Sequence, residues 1–453
     1  MKNPDHERAG LIRSELERVD HVDPVANPRS PKHLKMAASP VRFLRGSAQL
    51  FYTDIAHGVL VLPRSLVEEP PLTAVMGDCH ISNFGFITED GAHGDWVIFC
   101  PNDYDDACIG PAAWDLARFL VSLVLTTDHC RGVLTGEYAS EPIRDPAAMS
   151  APSGAEADRA TTTFLDAYRR TCHACVRDRR QHLSALAGFP KRHVLAKPLR
   201  KARRRAAGGK DFVTKSSLGK DVEIFAGRPR FRQRPGRLAP LSSSRVQDLH
   251  DAFRPYVSDA ILDVVQRTDA GTGSLDLERY YLLVGPESFS WADDLPLCHI
   301  VEVKQQRPAS ALFRFPDISP VNQLGPAHLT VECQRRMQRS PDLVLDDALW
   351  EGKHWLVRSR HHARVSLDPE DIALSDDAPG KRLTQYAVAC GEALALAHAR
   401  ADRRSTRFER AMVGRLKSDS EELIAAARSY ADIVKEDWGL LRHMLSGSRD
   451  KRV

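Results

Sequence analysis

The chain has no apolar run of signal-peptide or membrane-spanning length, which argues against secretion by that route and against insertion into a bilayer. The start, Met1 to Arg8, is polar, and the expected location is the cytoplasm. A dense cysteine framework is also missing. Nine cysteines in 453 residues leave at least one unpaired within the chain, so reduced thiols are the simple expectation. Cys172 and Cys175 form the one close pair, in a helical-looking segment (164–183), without the second pair or spaced histidines a zinc site needs. Internal repeats and coiled-coil heptads are absent too, which excludes solenoids and long supercoils.

What is present is the composition of a soluble globular enzyme: 42% hydrophobic and 27% charged residues, with length enough for two or three domain-sized units. The net charge is only +4, but residues 191–237 hold sixteen Lys and Arg against Asp211, Asp221 and Glu223. Such a stretch is a candidate surface for an anionic partner or nucleic acid. Its plain alternative is a solvated helix followed by a mobile loop.

The chemistry concentrates in Gly77-Asp78-Cys79-His80-Ile81-Ser82-Asn83-Phe84, then Asn102-Asp103-Tyr104-Asp105-Asp106, then Trp114-Asp115-Leu116-Ala117. In phosphoryl-transfer sites an Asp positions the acceptor hydroxyl, an Asn five residues on holds metal, and a later Asp holds metal bound to nucleotide phosphates. Asp78, Asn83 and Asp103 stand at those spacings as catalytic candidates. Asn83, Asp103 and Asp105 are the candidate Mg²⁺ ligands, since this hard cation takes one or two carboxylates and fills its shell with phosphate oxygens and water. Asp105 and Asp106 have an alternative as turn caps. His80 is expected to bond the loop backbone and Asp115 to brace the site from behind.

Periodicity places strands at Leu72–Met76 and Trp96–Phe99, delivering Asp78 and Asp103, and a helix from Pro111 to about Leu125. A second helix is expected from Asp158 to Leu186. Beyond residue 250 comes a Gly-rich turn with Gly271, Gly273 and Ser274, strands at Leu277–Val284 and Leu297–Val303, Lys304, a helix over Ala327–Gln338 with Glu332, and short strands at Leu343–Leu345 and Trp355–Arg358. Helices at Leu383–Arg400 and Glu421–Met444 close the chain. A strand-end ammonium needs water or an anion, so Lys304 is a candidate phosphate ligand paired with Glu332. Arg45 is a candidate for bidentate phosphate contact, or for a structural pair with an Asp.

Lys35-Met36, Ser39-Pro40, Phe43, Arg45-Gly46, the Asp78 loop, Asn102 to Asp105, Trp114-Asp115-Leu116, Val303-Lys304, Glu332 to Arg335 and Ala397-His398-Ala399 together resemble the bacterial family catalogued as domain of unknown function 2252, over nearly the whole chain. The local motifs are similar to those of aminoglycoside phosphotransferases and related kinase-like enzymes, with the order of parts changed. The resemblance implies an α+β, protein kinase-like two-lobed fold, circularly permuted, with a mainly helical catalytic lobe and a small antiparallel-sheet nucleotide lobe. Its divisions would be a helical extension over 1–60, catalytic-lobe residues over 61–250 with the basic insertion, the nucleotide lobe over 251–370 and helical remainder over 371–453. The implied activity is ATP- and Mg²⁺-dependent phosphoryl transfer to a hydroxyl of an unidentified small molecule or protein. Lys304, Glu332, Gly271, Gly273, Ser274 and Arg45 would hold the nucleotide. Nucleotidyl transfer, a metal-dependent phosphoesterase and a non-catalytic nucleotide- or nucleic-acid-binding pseudokinase are the alternatives.

Overall fold

The structure, a computed structural model, describes residues 4–143, 145–268, 277–289 and 292–447. Helices α1 (Pro4–Asp20), α2 (Pro31–Met36), α3 (Pro40–Gly46), α4 (Ala48–Ala56) and α5 (Arg64–Glu68) lead into β1 (Thr73–Val75), β2 (Phe84–Thr88), β3 (Val97–Pro101), β4 (Cys108–Gly110) and α6 (Ala112–Thr135). Next come α7 (Gly154–Arg177), α8 (Ala196–Arg205), α9 (Phe212–Lys215), α10 (Ser217–Asp221), β5 (Val222–Phe225), β6 (Arg228–Phe231), β7 (Leu238–Ala239) and α11 (Ser243–Phe253). The remainder comprises β8 (Ala260–Arg267), β9 (Arg279–Gly285), β10 (His299–Gln305), α12 (Pro326–Met337), β11 (Leu345–Trp350), β12 (Lys353–Ser359), β13 (Val365–Ser366), α13 (Pro369–Ala373), α14 (Pro379–Arg400) and α15 (Arg407–Ser446).

The architecture is mixed α and β with antiparallel sheets. Helices α6, α7, α14 and α15 pack on one another around a large apolar core that includes Leu116, Leu120, Phe164, Tyr386 and Leu394. Helix α6 outruns the expected Leu125 because its apolar positions continue, and it stops at Gly136, whose φ of 78° ends the helix in the left-handed region. Helix α7 starts with a Ser153/Glu156 capping box and ends at Arg177, short of the expected Leu186. Helix α15 begins at Arg407, well ahead of the expected Glu421, with Phe408 and Met412 already on the core-facing side.

The second assembly is a six-stranded antiparallel sheet in the order β11-β12-β10-β9-β8-β7. Strand β10 lies inside it, pairing Val303 with Tyr280 of β9 and with Val357 of β12. Val331 of α12 packs with Leu345 and Leu356, seating that helix on the sheet. Gly271, Gly273 and Ser274 belong to the β8–β9 connection and lie outside the described residues. The basic stretch is not a helix followed by a loop: its second half folds into α9, α10 and the β5–β6 hairpin, anchored by buried Phe212, Leu218, Val222 and Phe231. Strand β2, not anticipated from the sequence, pairs with β3 and β13.

A seam of histidines joins the sheet to the β2–β3 hairpin. His299 at the start of β10 lies 4.7 Å from the His93 ring, centroid to centroid, and its Nε2 is buried without a partner. Burial, then the proximity of His93, pushes the His299 pKa down to about 4. A histidine kept neutral by folding contributes stability that is complete above its unfolded pKa of about 6.5 and is lost as pH falls toward 4. Urea unfolding should therefore show about 2 kcal/mol less stability from this group at pH 5 than at pH 7. A His299→Asn variant with the same loss between the two pH values would refute that assignment.

Candidate functional site

Strand β1 delivers the chain to Met76 and Gly77, and the turn there admits only glycine. Gly77 has a φ of 74°, and a Cβ on it would stand 1.8 Å from the carbonyl oxygen of Asp106. The loop is held from below by Asp115, whose carboxylate accepts the N–H groups of Met76 (2.7 Å) and Gly77 (3.1 Å). His398 Nε2 lies 3.1 Å from the same carboxylate, and the other ring nitrogen is 2.8 Å from the Tyr168 hydroxyl. Tyr52 donates to the Gly77 carbonyl at 2.6 Å. All of these groups are buried. Asp115 thus braces the loop, as its place in the first turn of α6 suggests, and His398 of α14 supplies a partner that sequence proximity does not reveal.

Asp78 faces the cleft with its two oxygens in different settings. Arg118 of α6 donates from Nε (2.8 Å) and Nη2 (2.5 Å) to Oδ1, while Oδ2 is 3.5 Å from His80 Nε2. Burial opposes ionisation, but the Arg118 charge, then His80, outweigh it and hold the carboxyl well below its ordinary pKa. His80 Nδ1 also accepts the Ser82 N–H at 3.2 Å, the backbone role expected of it. Asn83 donates from Nδ2 to the Asp78 carbonyl at 2.9 Å, leaving its amide oxygen as the group available to a cation. Arg118 is not anticipated by the motifs, although an arginine one turn beyond Asp115 on an apolar helix is a visible anomaly.

The second acidic loop follows β3. Asn102 donates its N–H to the Asn83 carbonyl at 3.0 Å, which ties this loop to the first. Lys304 of β10, 2% exposed, is bonded to Asp105 Oδ2, and Arg358 of β12 stands 3.6 Å from Asp105 Oδ1. Those cations overcome burial and keep Asp105 ionised. Asp103 differs: burial and the neighbouring Asp105 raise its pKa, and its carboxylate accepts a long bond from the Asp105 N–H at 3.4 Å. Asp106 is a structural cap, accepting from the N–H (2.8 Å) and hydroxyl (2.7 Å) of Ser310.

A cleft of about 300 Å³ unites Asp78, Asn83, Asp103, Asp105, Lys304 and Arg45. Arg45 lines the rim of the cleft and stands 3.7 Å from Asp368, a pairing with an Asp of the kind the sequence allows. Glu332 is not in this cleft and does not meet Lys304. Its carboxylate binds Arg336 one turn along α12 at 2.5 Å, because an i, i+4 partner lies within immediate reach, and Asp105 takes the place beside Lys304. No group of three or more His, Cys, Asp or Glu with metal-binding geometry occurs among the described residues. Two carboxylates and an amide oxygen nonetheless suit Mg²⁺, and Asp105 Oδ1 is buried without a hydrogen bond.

A second compartment of about 250 Å³ adjoins the first and shares Arg279, Arg358 and Arg364 with it. Glu302 is held between Arg279 (3.2 Å) and Arg358 (2.9 Å). Arg364 makes no hydrogen bond or ion pair among the described residues and faces Asp103 electrostatically. Gln334 Oε1 and Ser359 Oγ are buried here without partners. Glu302 and Lys304 sit two apart on β10, next to the apolar Ile300, Val301 and Val303, so both project from one face, a charged signal legible in the sequence. Cys172 and Cys175 are buried free thiols, like the other cysteines.

No curated protein and no solved structure matches the chain. A family model described as "Uncharacterized protein conserved in bacteria (DUF2252)" matches residues 28–133 and 147–444, and the chain belongs to that family.

Proposed function

We propose that the protein is an ATP- and Mg²⁺-dependent phosphotransferase acting on a hydroxyl acceptor, with the parts of a kinase-like site in permuted chain order. The observation that carries this reading is the meeting of Lys304 with Asp105, beside Asp103, Asn83 and Asp78, in one cleft. A buried lysine between acidic loops supports a phosphate site, because bound phosphate oxygens would take over its charge as the carboxylates turn to a cation. Arg279, Arg358 and Arg364 line the passage between compartments, where a polyphosphate would cross. In the second compartment Tyr281 and Ile87 offer apolar contact for a nucleoside, and the unpartnered Gln334 Oε1 suits an exocyclic amine.

Arg118 leaves Asp78 Oδ2 open while keeping the carboxylate ionised. That oxygen accepts the hydrogen bond of the acceptor hydroxyl and aims its lone pair at the γ-phosphorus. As the new P–O bond forms and the bridge to the β-phosphate breaks, ADP departs and the hydroxyl proton passes to Oδ2. So acidic a carboxyl is a weak base, which fits a loose transition state where proton transfer comes late. Mg²⁺, held by Asp103, Asp105 and the Asn83 amide oxygen, would neutralise phosphate charge. A two-metal phosphoesterase would need more ligands than the described residues assemble.

Calorimetric titration with ATP and Mg²⁺ tests the reading. The wild type should bind, and Lys304→Ala should weaken binding by about tenfold or more, ~1.4 kcal/mol or above. A wild type that binds no nucleotide refutes it. Label transferred from the α- rather than the γ-phosphate would assign nucleotidyl transfer instead.

A further inference from the structure

Helix α12 turns two faces to its surroundings. Residues two apart on a helix of 3.6 residues per turn are about 200° apart around its axis, so Glu332 and Gln334 point to nearly opposite sides. Glu332 goes outward to Arg336. Gln334 goes inward, 2% exposed, and lines the second compartment together with Gln338.

The two ends of the Gln334 amide are in different states. Its Nε2 donates to Gln338 Oε1, one turn along the helix, at 3.3 Å, while its Oε1 is buried with no hydrogen bond among the described residues. Ser359 at the end of β12 is also 2% exposed and brings an unpartnered Oγ to the same compartment. Two neighbours are occupied instead: Tyr104 donates to the Pro101 carbonyl at 2.9 Å, and His361 stands 3.2 Å from Asp342 and 3.3 Å from the Thr88 hydroxyl. A buried acceptor without a donor is costly, so the Gln334 and Ser359 oxygens mark where the polar edge of a ligand belongs.

The walls suit a flat apolar body. Ile87 comes from β2 and Tyr281 from β9, which belong to different sheets, and the Arg360 guanidinium stacks on the Tyr281 ring at 4.7 Å from its centroid. The compartment of about 250 Å³ holds one bicyclic base.

We propose that Gln334 selects adenine over guanine in this compartment, its Oε1 accepting the 6-amino group while Ser359 Oγ donates to ring nitrogen N1. The assignment rests on the nucleotide reading of the same site. On that edge adenine sets an N–H donor beside an acceptor, whereas guanine sets a carbonyl oxygen beside an N–H. Guanine would bring its O6 lone pairs against Gln334 Oε1 and leave the buried acceptor unpaired, a mismatch that discriminates more strongly than the loss of a methylene contact. Gln338 holds the selective orientation, because turning the Gln334 amide over would set its oxygen against Gln338 Oε1. Cytosine carries the same donor and acceptor pair on a single ring, with less apolar surface to bury against Ile87 and Tyr281.

Calorimetry with the Mg²⁺ complexes of ATP, GTP, CTP and purine riboside triphosphate, which lacks only the 6-amino group of ATP, tests the assignment. The wild type should bind ATP about tenfold or more tightly than each of the other three. In Gln334→Leu the gap between ATP and the purine analogue should close, and in Ser359→Ala both should weaken alike with the gap kept. A Gln334 that only supports the fold would weaken the two nucleotides equally, and that result overturns the proposal. So does a wild type that binds GTP or CTP as tightly as ATP. Either outcome leaves the phosphotransferase reading standing, since a nucleotide still binds, whereas no binding of any of the four refutes both.

Discussion

Replacing Asp103 by asparagine is expected to lower the proposed phosphoryl transfer by about 10³-fold, ~4 kcal/mol of transition-state stabilisation, while the protein becomes slightly more stable. Among the described residues Asp103 is the cleft carboxylate that no arginine or lysine binds directly, and its raised pKa reflects burial next to Asp105. For an acid, a folded-state pKa above the unfolded value means that folding disfavours the ionised form. Stability contributed by this group therefore rises as pH falls through that pKa, and at neutral pH the carboxylate is a cost that asparagine removes. A purely structural residue would behave differently, losing stability and activity together. Single-turnover transfer from γ-labelled ATP, measured beside the urea midpoint, separates the cases. Activity within tenfold of wild type, or a clear loss of stability, would remove Asp103 from the proposed metal site.

Asp115→Ala should have the largest effect on the fold, about 3–5 kcal/mol, because it strands buried groups rather than deleting a contact. The Met76 and Gly77 N–H groups and the His398 ring lose their common acceptor. No water replaces it without opening a core that holds Trp114 and Phe119. The loop that carries Asp78 is the part released, so activity should fall even under conditions where the variant remains folded. Asp115→Asn keeps one acceptor oxygen and should lose less. Denaturant titration of both variants decides the matter: a change below about 1 kcal/mol for alanine would mean the bracing network matters little.

Several features are legible in the residues alone. The strands that deliver Asp78 and Asp103 are short apolar runs ending in acidic loops, and local pattern suffices for them. Lys304 at the end of an apolar strand is recognisable for the same reason, as are the helices Leu383–Arg400 and Ala327–Gln338, within a residue or a few of α14 and α12. Helix ends are less legible. Helix α6 runs ten residues past Leu125, to Thr135, because its apolar positions continue as far as the left-handed Gly136 that caps it.

Pairings between distant charges are beyond the sequence. Glu332 and Asp105 are both acids at reasonable positions for Lys304, and only the path of the second acidic loop across the sheet decides for Asp105. Arg118 and His398 have no motif-level tie to Asp78 and Asp115, since the ties run from α6 and α14 through a folded core. The basic stretch shows the same division. Its charge excess is a matter of counting, but which cations are consumed by Asp211, Asp221 and Glu223 is set by how α8, α10 and the β5–β6 hairpin pack.

The sequence by itself determined the family, the chemical character of the two acidic loops and the identity of the lysine that meets them, because these reside in residue types at short spacings. Tertiary structure alone decided that Arg118 holds one oxygen of Asp78 and leaves the other facing His80 and the cleft, that Asp105 rather than Glu332 answers Lys304, and that no cation among the described residues bonds Asp103 directly. Electrostatic partnership in a buried site is fixed by distances of a few ångströms, and such distances between residues as far apart as Asp105 and Lys304 exist only after the chain has folded.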